Sequence, residues 1–409
     1  MAWARLRTSS PTPWPSEVRR ARRSTNLLFA VHGCVIGSFA ARVPSIASHV
    51  GVGVGQLGVA LLMPGIGAIL AMPLSGRLAH DHPFPVLVTT TIAAWCGSLV
   101  LPALAASLPA LCAVLLVFGA ASGISDMAIN AQGVLIERRA GQSVMSTFHG
   151  CWSAGVLTGS VASALAAHVG FEALPQFGAT AVLLALIAAG AARALLPEDS
   201  PHAASAPPRF ALPTRPVLLI GLVGLCAIFG EQAGTDWSAL FLRRELAQSA
   251  STAALAVSGF AVTMALARLS GDRLIRWLGP VRIVRLSGTC AAGGMVVVVL
   301  APNLVAAFAG FALLGAGVAL VVPLVFAAAG RVGAHPARSI AGVAGIAYGS
   351  GLITPGVIGA VASATSLKVS FGLVAGVLAM VPLAAGVLRP PDARTSGTDT
   401  HRREPTSEI

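Results

Sequence analysis

Charge is what this sequence has least of. Only 10% of its 409 residues are Asp, Glu, Lys or Arg, against about 25% in a soluble domain. Lys368 is the single lysine, so a Gly-x-x-x-x-Gly-Lys-Ser/Thr phosphate loop cannot form, which disfavours a nucleotide-driven pump. Aromatic residues are scarce at 5%, with one tyrosine. No His-Glu-x-x-His string, no cluster of metal-ligand spacing and no Gly-x-Ser-x-Gly elbow occurs, so neither metal catalysis nor a serine hydrolase is indicated, and no cofactor is implied. The six cysteines (Cys34, Cys96, Cys112, Cys151, Cys226, Cys290) all fall within apolar runs. They read as small buried hydrophobes rather than disulfide or metal partners.

What fills the space is apolar sequence. The chain is 55% hydrophobic with a mean hydropathy of +0.81. Between Asn26 and Arg389, apolar runs alternate with short polar turns about twelve times. A bilayer core about 30 Å thick takes roughly 20 helical residues to cross. We place spans at 26–48, 56–79, 84–106, 109–136, 143–167, 171–194, 216–242, 251–275, 281–300, 303–330, 338–365 and 369–388. The 45 glycines and 26 prolines lie largely inside these runs, where small residues let helices approach closely. This is the pattern of an all-α, polytopic membrane protein, and it points to movement of something across the membrane.

The net charge of +12 does not indicate nucleic-acid binding, because the arginines are dispersed over alternate loops. With the N-terminus inside, the outer segments hold only Arg243, Arg244 and Lys368, while the tails and inner loops hold nearly all the rest. Positive-inside asymmetry then puts both termini in the cytoplasm. Residues 1–24 read as a basic tail rather than a signal peptide, since the run that follows is long enough to span. Residues 196–214 form the longest polar stretch between spans. They divide the chain into bundles at 25–195 and 215–389, with a polar tail at 390–409. Leu74-Ser75-Gly76-Arg77-Leu78 after the second span echoes Leu269-Ser270-Gly271-Asp272-Arg273-Leu274 after the eighth. Arg77 and Arg273 are 196 residues apart, as are Gly155 and Gly351 in the fifth and eleventh spans. A parallel six-plus-six duplication follows, with a site expected near the midplane between the halves.

Ionisable groups at membrane depth are functional candidates by default. Asp126 lies well inside the fourth span, with Ser122 and Asn130 one turn to either side on the same face. Such a carboxyl could load and release a proton, or could be a structural hydrogen-bonding group. Glu231 is mid-depth in the seventh span, followed by Gln232, Thr235, Asp236 and Trp237. Trp237 could stack on a sugar ring or anchor at the interface. Arg42, in the outer part of the first span, could attract an anion, pair at a gate or snorkel outward. His149 in the fifth span could relay protons, with Trp152 one turn on; His32 reads as packing.

Twelve spans, a long central loop and a Gly-Asp-Arg turn after the eighth span resemble the major facilitator superfamily. GSFAARVPSIASHV (37–50), GAASGISDMAINAQGVLIERRAG (119–141) and MSTFHGCWSAGVLTGS (145–160) resemble its bacterial YbjJ-type inner-membrane subfamily, and the likeness covers about residues 25–390. It implies two pseudo-symmetric six-helix bundles in the bacterial cytoplasmic membrane. It also implies a cavity lined by the first and fourth helices of each half, which places Asp126 toward substrate. The superfamily's loop motif, roughly G-x-x-x-D-R-x-G-R-R, departs here in both copies. Gly76-Arg77 lacks the Asp-Arg pair, and Arg268 stands where a glycine belongs before Gly271-Asp272-Arg273. Arg268, Asp272 and Arg276 are spaced to form an ion-pair ladder on one helix face or to be ordinary end-charge.

The expectation is a secondary transporter, not an enzyme, working by alternating access and coupled to protons through Asp126 or Glu231. Its solute would be a sugar-like or other small polar molecule. Alternatives are a proton-driven exporter of drugs or metabolites and, from another class, a transporter-like sensor or channel. Its partners are the solute, protons and the lipid bilayer; a monomer is compatible with the sequence.

Overall fold

A computed structural model of the chain describes residues 14–81, 83–140, 144–197, 214–332 and 336–389. The side chains of Gly76, Arg77 and Asp272 lie outside the described residues, as do the tail at 1–13, most of the expected linker (198–213) and the tail at 390–409. The helices are α1 (Ser16–Val50), α2 (Val54–Asp81), α3 (Phe84–Ser98), α4 (Leu101–Leu104), α5 (Leu108–Ala140), α6 (Met145–His168) and α7 (Ala173–Ala192) in the first half. In the second they are α8 (Arg215–Glu245), α9 (Ala250–Leu278), α10 (Pro280–Val299), α11 (Leu304–Val318), α12 (Val321–Ala329), α13 (Pro336–Ala364) and α14 (Leu367–Ala384), closed by a 3-10 turn at Ala385–Leu388. They supply 12 helical segments long and apolar enough to cross a membrane. The third span is α3 with α4, and the tenth is α11 with α12.

Local chemistry explains the boundaries. Pro15 precedes α1, and Val18 and Ala21 are buried in its first turns, so the helix starts at Ser16 and takes in residues 16–24 of the expected tail. Arg22 lies over the Trp14 ring at 4.8 Å, and Arg19 donates to the Trp14 carbonyl. Gly51 ends α1 in a left-handed conformation that favours glycine, returning its N–H to the Ala47 carbonyl. Three helices of the second half begin with side-chain caps: Ser249, Asn303 and Ser366 accept from the backbone N–H groups of Thr252, Ala306 and Val369. Glu137, in α5, accepts from the N–H groups of Val144 and Met145 at 2.7 and 3.0 Å and so caps α6.

Packing repeats between the halves. In the first half α1 lies on α6, α2 on α5 and α3 on α7; in the second, α8 lies on α13, α9 on α11 and α10 on α14. These are equivalent pairs in two six-helix bundles. Within the first, α1 and α6 meet backbone to backbone: a Cβ built on Gly37 would come 2.0 Å from the Val156 carbonyl oxygen, and one on Gly155 would come 2.0 Å from that of Ala30. Only glycine fits such an approach.

The halves meet through α6 on α9 and α2 on α13, with α1 also reaching α8 and α9. The end of the bundle where α1 starts and α14 finishes is the near end; the other is the far end. At the far end Gly58 of α2 sits against Gly359 of α13, a built Cβ falling 2.7 Å from the Gly359 Cα. Ser160 of α6 and Ser258 of α9 share a hydrogen bond of 2.8 Å across the halves.

Candidate functional site

A polar belt crosses the middle of the bundle and the near-end side of it. Its core is Arg268 of α9. The guanidinium Nη2 contacts both carboxylate oxygens of Glu231, on α8, at 3.2 and 3.4 Å. Nη1 donates to Ser153 Oγ, on α6 of the other half, at 3.0 Å. Nε lies 3.4 Å from the Ala319 carbonyl, at the break between α11 and α12, where a backbone oxygen is released from the helical ladder. One arginine thus joins an ion pair, a helix break and the opposite bundle. Arg268, which the sequence left as a ladder member or an end-charge, pairs with Glu231; the ladder's Asp272 side chain lies outside the described residues. The same break receives Gly271, where a Cβ would come 2.5 Å from Leu320. Gly271 therefore lies in a packed helix rather than in a loop. Gly76 and Arg77 are helical in α2, and Arg273 is exposed on α9.

In the first bundle, α5 carries Asp126 and Asn130. Asn130 Nδ2 donates to the Asp126 carbonyl at 2.8 Å and to Asp126 Oδ1 at 3.1 Å. Asp126 is exposed and Asn130 half-buried. His149 of α6 is also exposed, set edge-on to Phe29 at 5.4 Å, and is within electrostatic reach of Asp126, Arg268, Glu231 and His32. The structure thus brings Asp126, His149 and Glu231 from three helices and both halves into one electrostatic neighbourhood, with Asn130 bonded to Asp126.

His32 lies in the first bundle, on α1. It is buried, stacks on Trp95 at 5.1 Å and accepts from Trp152 Nε1 at 3.2 Å through Nδ1. Its Nε2 lies 3.5 Å from the Ser122 carbonyl. Nδ1 as acceptor and Nε2 as donor describe a neutral ring that orients Trp152.

Two expected candidates stand elsewhere. Arg42 is 4% exposed, so it does not snorkel. Its Nε donates to Gln176 Oε1 at 2.6 Å and its Nη2 to the Phe171 carbonyl at 2.8 Å, while Gln176 Nε2 donates to Ser163 Oγ at 2.6 Å. These bonds tie α1 to α6 and α7, and Arg42 borders a far-end cleft of about 800 Å³ shared with His49, Glu172 and Arg243. Trp237 is fully buried, with its indole N–H unpartnered among the described residues. It therefore does not sit as an exposed interfacial anchor. Ser153 and the Arg268–Glu231 pairing were not singled out in advance. The available signal was an arginine at the end of an apolar run otherwise free of charge. No group of three or more His, Cys, Asp or Glu could hold a metal among the described residues.

The chain resembles known transporters along most of its length. An uncharacterised MFS-type transporter of Yersinia pestis is 35% identical over 364 residues, covering 88% of this chain and 94% of the relative. The uncharacterised transporter y4wD of Sinorhizobium fredii is 33% identical, covering 92% and 98%. Membrane protein MosC of Rhizobium meliloti is 28% identical, covering 83% of each. Among solved structures, a mutant form of the nucleoside transporter NupG superposes with a TM-score of 0.71 at 17% identity, covering 90% of this chain and 99% of the other. A bacterial homologue of the human lysosomal transporter Spinster, inward-facing and occupied, gives 0.70 at 14% identity, covering 90% and 95%. These two show a shared fold. The Major Facilitator Superfamily profile matches residues 25–353, and the chain belongs to that superfamily of membrane transporters.

Proposed function

We propose that this transporter is a proton-coupled secondary carrier of a small polar solute. It would alternate access by rocking bundles 25–195 and 215–389 about the polar belt. It would sit in a bacterial cytoplasmic membrane with the near end and both termini in the cytoplasm, a reading supported by the concentration of arginine in near-end segments. One observation carries it. Arg268 of one bundle holds Glu231 of its own bundle and Ser153 of the other, and His149 lies within electrostatic reach both of that pair and of the exposed Asp126. Charges placed at mid-membrane are costly unless paired or used. The cross-bundle bond must break when the halves part, which couples the state of Glu231 to the conformational change.

The far-end contacts between Gly58 and Gly359 and between Ser160 and Ser258, with Asp126 and His149 exposed on the near-end side, support an inward-open state. The test uses proteoliposomes loaded with a pH-sensitive dye. Gradients of individual solutes should drive proton movement, and replacing both Asp126 and Glu231 by their amides should abolish it. Proton movement that survives both substitutions would overturn the coupling, and no flux of any solute would overturn the transport cycle.

A further inference from the structure

The Asp126–Asn130 pair carries more than a position. The amide orientation of Asn130 is determined by its bonds, because both of its contacts, the Asp126 carbonyl and Oδ1, are acceptors, so the group facing them is the NH₂. Its carbonyl Oδ1 is therefore turned outward. Asp126 Oδ2 has no ion-pair or hydrogen-bond partner among the described residues. The i, i+4 spacing sets the two side chains side by side, so one exposed edge presents two oxygen acceptors and no donor. The charges around it do not cancel it. Arg268 is taken by Glu231, His32 is held as a neutral acceptor by Trp152, and His149, the remaining ionisable neighbour within electrostatic reach, makes no hydrogen bond or ion pair to Asp126 among the described residues. A net negative acceptor edge on the wall of an otherwise balanced belt selects ligands by what they donate.

We propose that this edge recognises a solute presenting two adjacent hydrogen-bond donors. The N–H pair of a guanidinium or amine and the paired hydroxyls of a vicinal diol share that chemistry, and carboxylate-bearing solutes are excluded. The assignment rests on the polar belt being the solute site. A two-acceptor edge rejects an acceptor-only ligand because each buried acceptor then stays unpaired.

The test measures thermal stabilisation and calorimetric binding of the full-length protein in detergent with five probes. Guanidinium and agmatine are cationic donors, ribose is a neutral diol, tetraethylammonium is a cation without donors, and succinate is an anion. Stabilisation by agmatine or guanidinium assigns the cationic source, and stabilisation by ribose the neutral one. Tetraethylammonium and succinate are expected to have no effect. Asp126→Asn, which turns one acceptor into a possible donor, and Asn130→Leu, which removes the other, should each weaken donor binding at least tenfold. The second variant leaves the carboxylate intact, so it reports even if the first fails to fold. Binding of succinate or tetraethylammonium as strong as that of the donors overturns the proposal. Donor binding unchanged in both variants, or no binding by any donor probe, does so as well. Donor binding that obeys the variants without any flux in proteoliposomes overturns the transport reading and leaves the edge standing. Flux of a solute indifferent to both variants does the reverse.

Discussion

Removing one partner of the Arg268–Glu231 pair should be worse than removing both. The two side chains are each 17% exposed and 3.2 Å apart. Unit charges at that distance attract by about 5 kcal/mol at an effective dielectric constant of about 20. Desolvation of both groups offsets much of this in the intact pair. A single truncation, however, leaves the survivor's charge without a partner, at a cost of about 3–5 kcal/mol when fully buried. Partial exposure puts the expected cost of Arg268→Gln or Glu231→Gln at the lower end, about 2–3 kcal/mol each. Arg268→Gln also gives up the bonds to Ser153 and the Ala319 carbonyl, so it should be the more severe of the two. The double variant leaves two neutral amides. It should lose no more than about the worse single variant, giving a coupling energy of at least about 2 kcal/mol in the cycle. Unfolding in mixed micelles, followed by tryptophan fluorescence, measures all four proteins. Single variants within about 0.5 kcal/mol of wild type, with an additive double, would refute the reasoning and reduce the pair to a surface contact.

Three further outcomes follow from the packing. Cysteines replacing Ser160 and Ser258, in a background without the native cysteines, should oxidise to a disulfide because the two Oγ atoms are 2.8 Å apart; mobility on gels should show the cross-link, and solute exchange should stop until reductant is added. Gly37→Ala should destabilise by about 1–3 kcal/mol through overpacking, since its Cβ would meet the Val156 carbonyl at 2.0 Å; an unchanged melting temperature would show that α1 and α6 separate freely. Arg42→Ala should cost about 2–3 kcal/mol, because buried Gln176 loses its charged donor; the same melting assay should find Gln176→Leu less harmful than Arg42→Ala.

The sequence alone determined the class. Spans placed by hydropathy lie close to the observed helices, from α3 starting at Phe84 to the last segment ending at Leu388. Bilayer thickness sets span length, and every span must satisfy its own backbone bonds. The equal 196-residue offsets likewise foretold the equivalent helix pairings. Asp126, Asn130, Glu231 and His149 were legible as candidates because each interrupts an apolar run, where an ionisable or polar group is conspicuous. Partners were not legible. Arg268 looks like an end-charge in one dimension. Only the crossing of α9 past α8, α6 and the break at Ala319–Leu320 turns it into the link between bundles. Arg42 and Trp237 show the converse: residue type suggested a site, and helix packing turned one toward Gln176 and sealed the other away. Periodicity along a chain fixes which side of a helix a residue occupies; which neighbour stands on that side is a property of twelve crossings taken together, and that only the tertiary structure decided.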